Sequence, residues 1–263
     1  MNEARIRLDV EDGIARLTFD HPRRLNAITA AMWRELAEAL ARVEADPAAR
    51  VLLLEGAGER AFCTGNDISE FETLRADPEA AARYNELQHV VAARLRDLTK
   101  PAIAAIHGHC LGAGMEIALM CDLRLCSAEA TMGVPAVKLG LPYRAEDIVK
   151  LLDVIGEAAA REMVLLGRRH GAEDIRRLGL AHRILPDRAA LREEARSMAE
   201  ELATNAPLSL AAAKIAFREL ARRDGPPDLA RAQAWADRCY ASEDYAEGRR
   251  AKLDKRPPRF TGS

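Results

Sequence analysis

Three short apolar runs, VLLLEG (51–56), AIAAIHG (102–108) and DLRLCS (122–127), are set apart by helix-periodic stretches and glycine loops. Each run predicts a short buried strand. From Thr29 to about Ala45, Met32, Leu36, Leu40 and Val43 recur at helical spacing, and Asp46-Pro47 ends that run. A further helix is predicted over roughly Pro78–Leu98, and another, containing Glu116, after the glycines that follow AIAAIHG. Ahead of them, RIRLDV and IARLTF flank the turn Glu11-Asp12-Gly13, which predicts a hairpin. Strands alternating with helices predict an α/β layered architecture. The strand-loop-helix unit recurs without a strict sequence repeat. From about Glu146 the chain reads as helix, broken at Gly167–Gly171, Gly179–Pro186, Asn205–Pro207 and Gly225–Pro227. The expected division is an α/β core over 1–200 and a helical C-terminal region over 201–263.

Bulk properties narrow the function class. The net charge is −2, from 39 basic and 41 acidic residues, so no global charge points to nucleic acid or an anionic membrane. No long uncharged apolar run could span a bilayer, and MNEARIRLDVEDG lacks an apolar targeting core. The five cysteines (Cys63, Cys110, Cys121, Cys126, Cys239) show neither CxxC nor histidine-spaced pairing. They read as reduced thiols in a cytoplasmic protein, with no metal site.

The stretch HGHCLGAGMEIALMCD (107–122) places Glu116 in an otherwise apolar, glycine-spaced run. A buried carboxylate is costly unless it is paired, protonated or in use. The glycines do not make a phosphate loop, because no Gly-Lys-Ser/Thr follows; their GxxxGxG spacing is not a dinucleotide fingerprint, and there is no GxSxG elbow. An oxyanion hole remains. Gly112, Ala113 and Gly114 let backbone N–H groups at a helix start approach a ligand oxygen, with Glu116 about one turn on. Taken alone, Glu116 reads more readily as a buried helix-start carboxylate capped by backbone amides. A second loop, AFCTGNDISEF (61–71), also follows a strand and carries Gly65; its Asp67 reads as an N-cap. Two such loops from neighbouring strands, each offering one N–H, would clasp a single carbonyl oxygen.

Together, RRLNAI, AFCTGNDISEF, KPAIAAIHGHCLGAGMEIALMCDLRL, TMGVPAVKLGLPY and SEDYAEGRRAKLDKRPPRF resemble the crotonase, or enoyl-CoA hydratase/isomerase, family over nearly the whole chain. The resemblance implies a spiral of ββα units with a helical C-terminal trimerisation lobe, and a homotrimer or dimer of trimers. It implies an acyl-CoA thioester as substrate, coenzyme A being part of the substrate, with no separate cofactor. By motif position, the thioester oxygen would be held by the backbone N–H groups of Asn66 and Ala113, next to Gly65 and Gly112. CoA would lie along Arg23, Arg24, Leu25 and Ala27, with Asp67 in the same loop and Ile68 near the pantetheine. Lys255 matches a position that reaches a neighbour's CoA phosphates. The tail is either mobile or docked on a neighbour.

Glu116 falls on the family's first catalytic glutamate, whereas the second is replaced by Ala136. Alanine can neither activate water nor carry a proton. Glu146 and Asp147 read as solvent-facing helix-start carboxylates. The resemblance therefore implies enoyl-CoA hydration or double-bond isomerisation on a fatty or branched acyl-CoA, with Glu116 as acid/base. One alternative is decarboxylation of a methylmalonyl-CoA-type thioester, which needs no base and for which Asn66 and Tyr143 stand at suitable positions. Another is a catalytically silent, CoA-binding trimeric protein. Tyr143 also reads as a core aromatic. His107 and His109 have no metal-ligand partners at suitable spacing and read as structural.

Overall fold

The computed structural model describes residues 4–223 and 225–263. Strands β1 (Arg5–Glu11) and β2 (Ile14–Asp20) form the expected antiparallel hairpin. Asp12 and Gly13 both adopt positive φ, as a two-residue turn of matching twist requires. Helix α1 (Ala30–Ala45) follows, its start capped by the Thr29 side chain accepting from the Met32 N–H. Such a cap is worth about 1 kcal/mol.

The chain then repeats one unit. Strands β3 (Val51–Gly56) and β4 (Ala61–Cys63) precede a single turn, α2 (Phe71–Leu74), and helix α3 (Pro78–Asp97). Next come β5 (Ala102–Ile106), β6 (His109–Leu111) and α4 (Ala113–Met120), then β7 (Leu123–Ser127), β8 (Thr131–Gly133) and α5 (Ala145–Leu166). The remaining elements are β9 (Arg169–His170), α6 (Ala172–Arg177), β10 (Arg183–Leu185), α7 (Arg188–Thr204), α8 (Pro207–Leu220), α9 (Leu229–Tyr240) and α10 (Glu243–Asp254).

The first strand of each unit joins a six-stranded sheet ordered β1-β2-β3-β5-β7-β10, and the second a four-stranded sheet ordered β4-β6-β8-β9. Every step from β2 to β10 is parallel. The result is a spiral of ββα units. Its central strands are apolar on both faces for a physical reason. Leu52, Leu54, Ala104 and Ile106 face the main core, while Val51, Leu53, Ile103 and Ala105 pack under Leu191, Ala195 and Ala199 of α7. A sheet covered on both sides needs continuous apolar runs.

The structure corrects the sequence reading at several points, among them the strands β4 and β8, which the sequence reading left without strand structure. Strands β9 and β10 occupy two segments expected to be breaks between helices. Strand β6 intervenes between the 102–108 run and the helix of Glu116. Helix α5 is kinked at Gly156, where φ is 73°. Helix α8 docks on the core through the Lys214 ammonium, which reaches the Lys100 carbonyl at 2.8 Å and Asp122 at 2.6 Å. Among the described residues no helix is long and apolar enough to cross a membrane.

Candidate active site

Strands β4 and β6 are parallel neighbours, with Ala61 opposite His109 and Cys63 opposite Cys110. Their C-terminal ends therefore lie side by side, and so do the two glycine loops that leave them. A β-carbon built on Gly65, which has φ 93°, would stand 3.1 Å from the Ala113 nitrogen. Gly114, the second residue of α4, has the same logic: a β-carbon there would meet the Cys63 carbonyl oxygen at 2.3 Å. Glycine is what lets α4 start directly against β4.

Ile28 bridges to Asn66 in parallel fashion, through Ile28 N–H to Gly65 O (2.8 Å) and Asp67 N–H to Ile28 O (2.9 Å). That pattern uses the groups of Gly65 and Asp67 and leaves the Asn66 N–H facing away from Ile28. Ala113 opens α4, so its N–H has no acceptor within the helix. Neither amide has a hydrogen-bond partner among the described residues. Two unpartnered donors thus stand at the mouth of adjacent loops, at a helix N-terminus that favours negative charge.

Glu116 is buried, at 8% exposure, and lines a cavity of about 1120 Å³ between α3, α4, α5 and the segment around Arg218–Arg231. Burial and then the Asp147 carboxylate push its carboxyl up from 4.5 to about 7, against smaller opposing effects of Lys150 and Arg144. A group at that value can both take and give a proton near neutrality. The Tyr143 hydroxyl is buried beside it without reaching bonding geometry to any partner among the described residues. Burial and the Glu116 charge hold that phenol well above its ordinary value, so it is a neutral donor.

Asp147 corrects the sequence reading. It is not a solvent-facing residue: it is buried at 4% exposure, bonded to Arg144 Nε at 2.9 Å and to Lys150 Nζ at 3.2 Å. Glu146 is exposed, as expected. Ala136 begins a 3-10 turn and packs against the core, so that turn brings no second carboxylate into the site.

Two residues unremarked in the sequence set the Asn66 side chain. Its Oδ1 accepts from Trp33 Nε1 at 2.9 Å and from the Tyr84 hydroxyl at 3.2 Å. With the oxygen so engaged, the amide must present its NH2 in the remaining direction. Nothing in the local sequence around Asn66 signals either partner, because α1 and α3 deliver them from a distance.

The segment expected to run along CoA lies beside the first loop. The Thr64 hydroxyl donates to the Leu25 carbonyl at 3.2 Å, and Arg24 approaches Asp67 at 3.8 Å. Asp67 caps its turn by accepting from the Ser69 N–H, as expected. Leu25 and Asn26 are both left-handed. Asn26 holds that unfavourable bend by donating to the Ala57 and Ala61 carbonyls at 2.9 and 2.7 Å and accepting from the His21 N–H. Arg23 and Leu25 line a cavity of about 360 Å³ there, Ala27 is buried, and Ile68 is exposed at 58%. Lys255 caps α10 in the left-handed conformation and is exposed.

Other reactive groups are accounted for. Cys63 lies under the first loop, and burial pushes its thiol up to about 12, out of the range of a nucleophile at neutral pH. Burial, with Arg188 and Arg192 adding to it, lowers His107 to about 4, so it is a neutral imidazole. His109 bonds Thr131 at 2.8 Å. Among the described residues no histidine, cysteine or carboxylate cluster could hold a metal ion.

Comparison with known proteins fits this geometry. Residues 9–263 match the family model described as enoyl-CoA hydratase/isomerase. A carnitinyl-CoA dehydratase of Proteus mirabilis is 34% identical, covering 98% of each chain. A putative enoyl-CoA hydratase of Thermus thermophilus is 36% identical, over 96% of this chain and all of its own. Among solved structures, an enoyl-CoA hydratase/carnithine racemase from Magnetospirillum magneticum superposes with a TM-score of 0.91 at 36% identity, covering 98% and 96% of the two chains. A whole-length family match, full-length relatives above 30% identity and the two-sheet spiral agree: the chain belongs to the enoyl-CoA hydratase/isomerase family, of the crotonase superfamily.

Proposed function

We propose that this protein binds an acyl-CoA thioester and performs enoyl-CoA hydratase/isomerase-type chemistry through a thioester enolate. The carrying observation is the pair of partnerless N–H groups, Asn66 and Ala113, on touching loops beside a buried glutamate held near neutrality. The thioester oxygen accepts from both amides, and the charge that develops there in the enolate is stabilised by donors already in place. Glu116 moves the proton. In isomerisation it takes a proton from one carbon and returns it to another, which needs only one carboxylate. In hydration it takes a proton from water as the oxygen adds to the β-carbon, and delivers one to the α-carbon. CoA lies along Arg23, Arg24, Leu25 and Ala27, past Ile68.

A second reading keeps the same oxyanion site but forms the enolate by loss of carbon dioxide from a methylmalonyl-type thioester. The specific support is the Asn66 amide, oriented by Trp33 and Tyr84 as a donor, with the neutral Tyr143 phenol beside Glu116. Mass-spectrometric turnover across crotonyl-CoA, longer enoyl-CoAs and methylmalonyl-CoA separates the readings. Gain of water or a shifted double bond is the expected result. Loss of carbon dioxide selects the second reading, and no turnover with tight CoA-ester binding selects a silent binding protein.

The assembly belongs to the same proposal. Phe217 (75% exposed), Leu229 (60%), Tyr240 (67%) and Leu253 (83%) lie on α8 to α10 as large apolar side chains that an oligomer would cover. We infer a trimer or dimer of trimers, in which Lys255 reaches a neighbour's CoA. A monomeric mass by light scattering at micromolar concentration would contradict it.

A further inference from the structure

The wall of the cavity opposite α4 is built for charge. Arg144 and Lys150 share one carboxylate, Asp147, and both cations are only about a fifth exposed, at 21% and 20% of their side chains. The His89 ring nitrogen 2.8 Å from Arg144 Nη1 adds no negative charge, and the carboxylate beyond it, Glu86 at 3.6 Å from His89 Nδ1, is exposed. Arg75 does not line this cavity but stands beside it as a third cation. Its guanidinium lies 4.5 Å from the Phe71 ring centre and 4.8 Å from that of Tyr84, the residue whose hydroxyl touches Asn66. Arg75 donates to Asn85 at 3.1 Å, but its Nε is buried without a partner, and among the described residues no carboxylate lies within ion-pair distance. Its charge is felt by Arg144 and Glu116, which places it in the same electrostatic neighbourhood.

Two cations therefore share one fully engaged carboxylate, Asp147, with a third cation beside them. Glu116 does not close the balance, because burial and Asp147 already oppose its ionisation. Glu146 lines the cavity but is exposed, and the lining carboxylates Asp97, Asp153 and Glu219 are paired with Arg218, Arg223 and Arg231. A half-buried cation short of counter-charge is a costly arrangement that an anionic ligand group relieves. A plain hydrocarbon chain would leave it unrelieved. Trp33, Val91, Ile117 and Met120 supply an apolar path from Glu116 along the same cavity.

We propose that the acyl group taken by this site carries a second, ionised carboxylate, received by Arg144 and Lys150 beyond Glu116, with Arg75 adding its charge from beside the cavity. The proposal rests on the acyl-CoA reading and names its substrate class: CoA thioesters of dicarboxylic acids. It makes the site selective, because a pocket that holds an ion rejects the uncharged analogue more sharply than an apolar pocket rejects a missing methylene.

The test is calorimetric binding of matched saturated esters, adipoyl-CoA against hexanoyl-CoA and glutaryl-CoA against pentanoyl-CoA. CoA is common to each pair, so its phosphates cancel, and no turnover is needed. The carboxylate-ended ester should bind roughly tenfold or more tightly, the scale of one charge-assisted contact. That ratio should fall toward one in Lys150→Met, and also in Arg75→Met, a second variant on a different element. Equal or tighter binding of the methyl-ended esters overturns the proposal and leaves the acyl-CoA reading standing. A preference that survives both variants overturns the assignment to this cluster. Failure of every ester to bind overturns the acyl-CoA reading with it.

Discussion

Replacing Glu116 by Gln tests the site through stability alone, with a sign that distinguishes a working carboxylate from a structural one. In the unfolded chain the carboxyl ionises near its ordinary 4.5, whereas in the fold burial and Asp147 push it up to about 7. Below the lower value both states are neutral and nothing is lost. As pH rises between the two values the unfolded chain releases its proton first, so the native state loses stability; above the upper value the loss is complete. At ~1.4 kcal/mol for each tenfold change in proton affinity, that loss reaches about 3 kcal/mol. Glutamine has the same shape and no charge to bury, so it escapes the loss. Urea unfolding of both proteins, at one protein concentration and at about pH 5 and about pH 8, should show the variant gaining on the wild type by about 2–3 kcal/mol across that interval. Holding the concentration fixed removes the effect of assembly on apparent stability. A carboxylate stabilised by helix-start amides would give the reverse: a variant less stable at high pH. A gap that does not change with pH refutes the reasoning.

Three more perturbations probe separate parts of the site. Gly65→Ala places a methyl 3.1 Å from the Ala113 nitrogen at a positive φ, and should lower kcat/KM on the enoyl-CoA substrate by roughly a hundredfold, the scale of losing one oxyanion donor; an unchanged rate would show that the oxygen does not sit between the loops. Asp147→Asn removes the charge that most opposes Glu116 ionisation and frees two cations to favour it, so the ionisation seen in the pH–rate profile near about 7 should move to lower pH; a shift to higher pH would contradict the assigned cause. Trp33→Phe deletes the 2.9 Å donor to Asn66 and should cost about 1 kcal/mol of transition-state stabilisation, read as a several-fold fall in kcat with CoA-ester affinity kept.

What the sequence made legible follows from where each signal resides. The hairpin, the long helices and the central strands announce themselves in local periodicity and in Asp12-Gly13, Thr29 and the glycine loops, all of which act within a few residues of themselves. The pairing of the two loops followed from one topological step, that they leave neighbouring strands, and β4 against β6 supplies it. Strands β9 and β10 escaped because elements of two and three residues have no period to read; they are strands only because β8 and β7 offer them an edge. Asp147 was misjudged for a related reason. Helix-start carboxylates usually face water, and only the packing of α5 over α4 turns this one inward, with Arg144 and Lys150 travelling beside it. The partners of Asn66 arrive from α1 and α3, so no spacing in the chain relates them. The kink at Gly156, by contrast, rests on a visible glycine inside an amphipathic run, a signal that was present and unread.

The central claim is that Glu116 handles the proton of a thioester enolate formed between the Asn66 and Ala113 amides. The most direct measurement is turnover of the enoyl-CoA substrate by Glu116→Gln, together with its affinity for a CoA ester. The amide keeps shape and hydrogen bonding but cannot exchange a proton at neutral pH. The rate should fall by roughly a hundredfold or more while the affinity changes little. A well-folded variant that turns over its substrate at the wild-type rate would contradict the account.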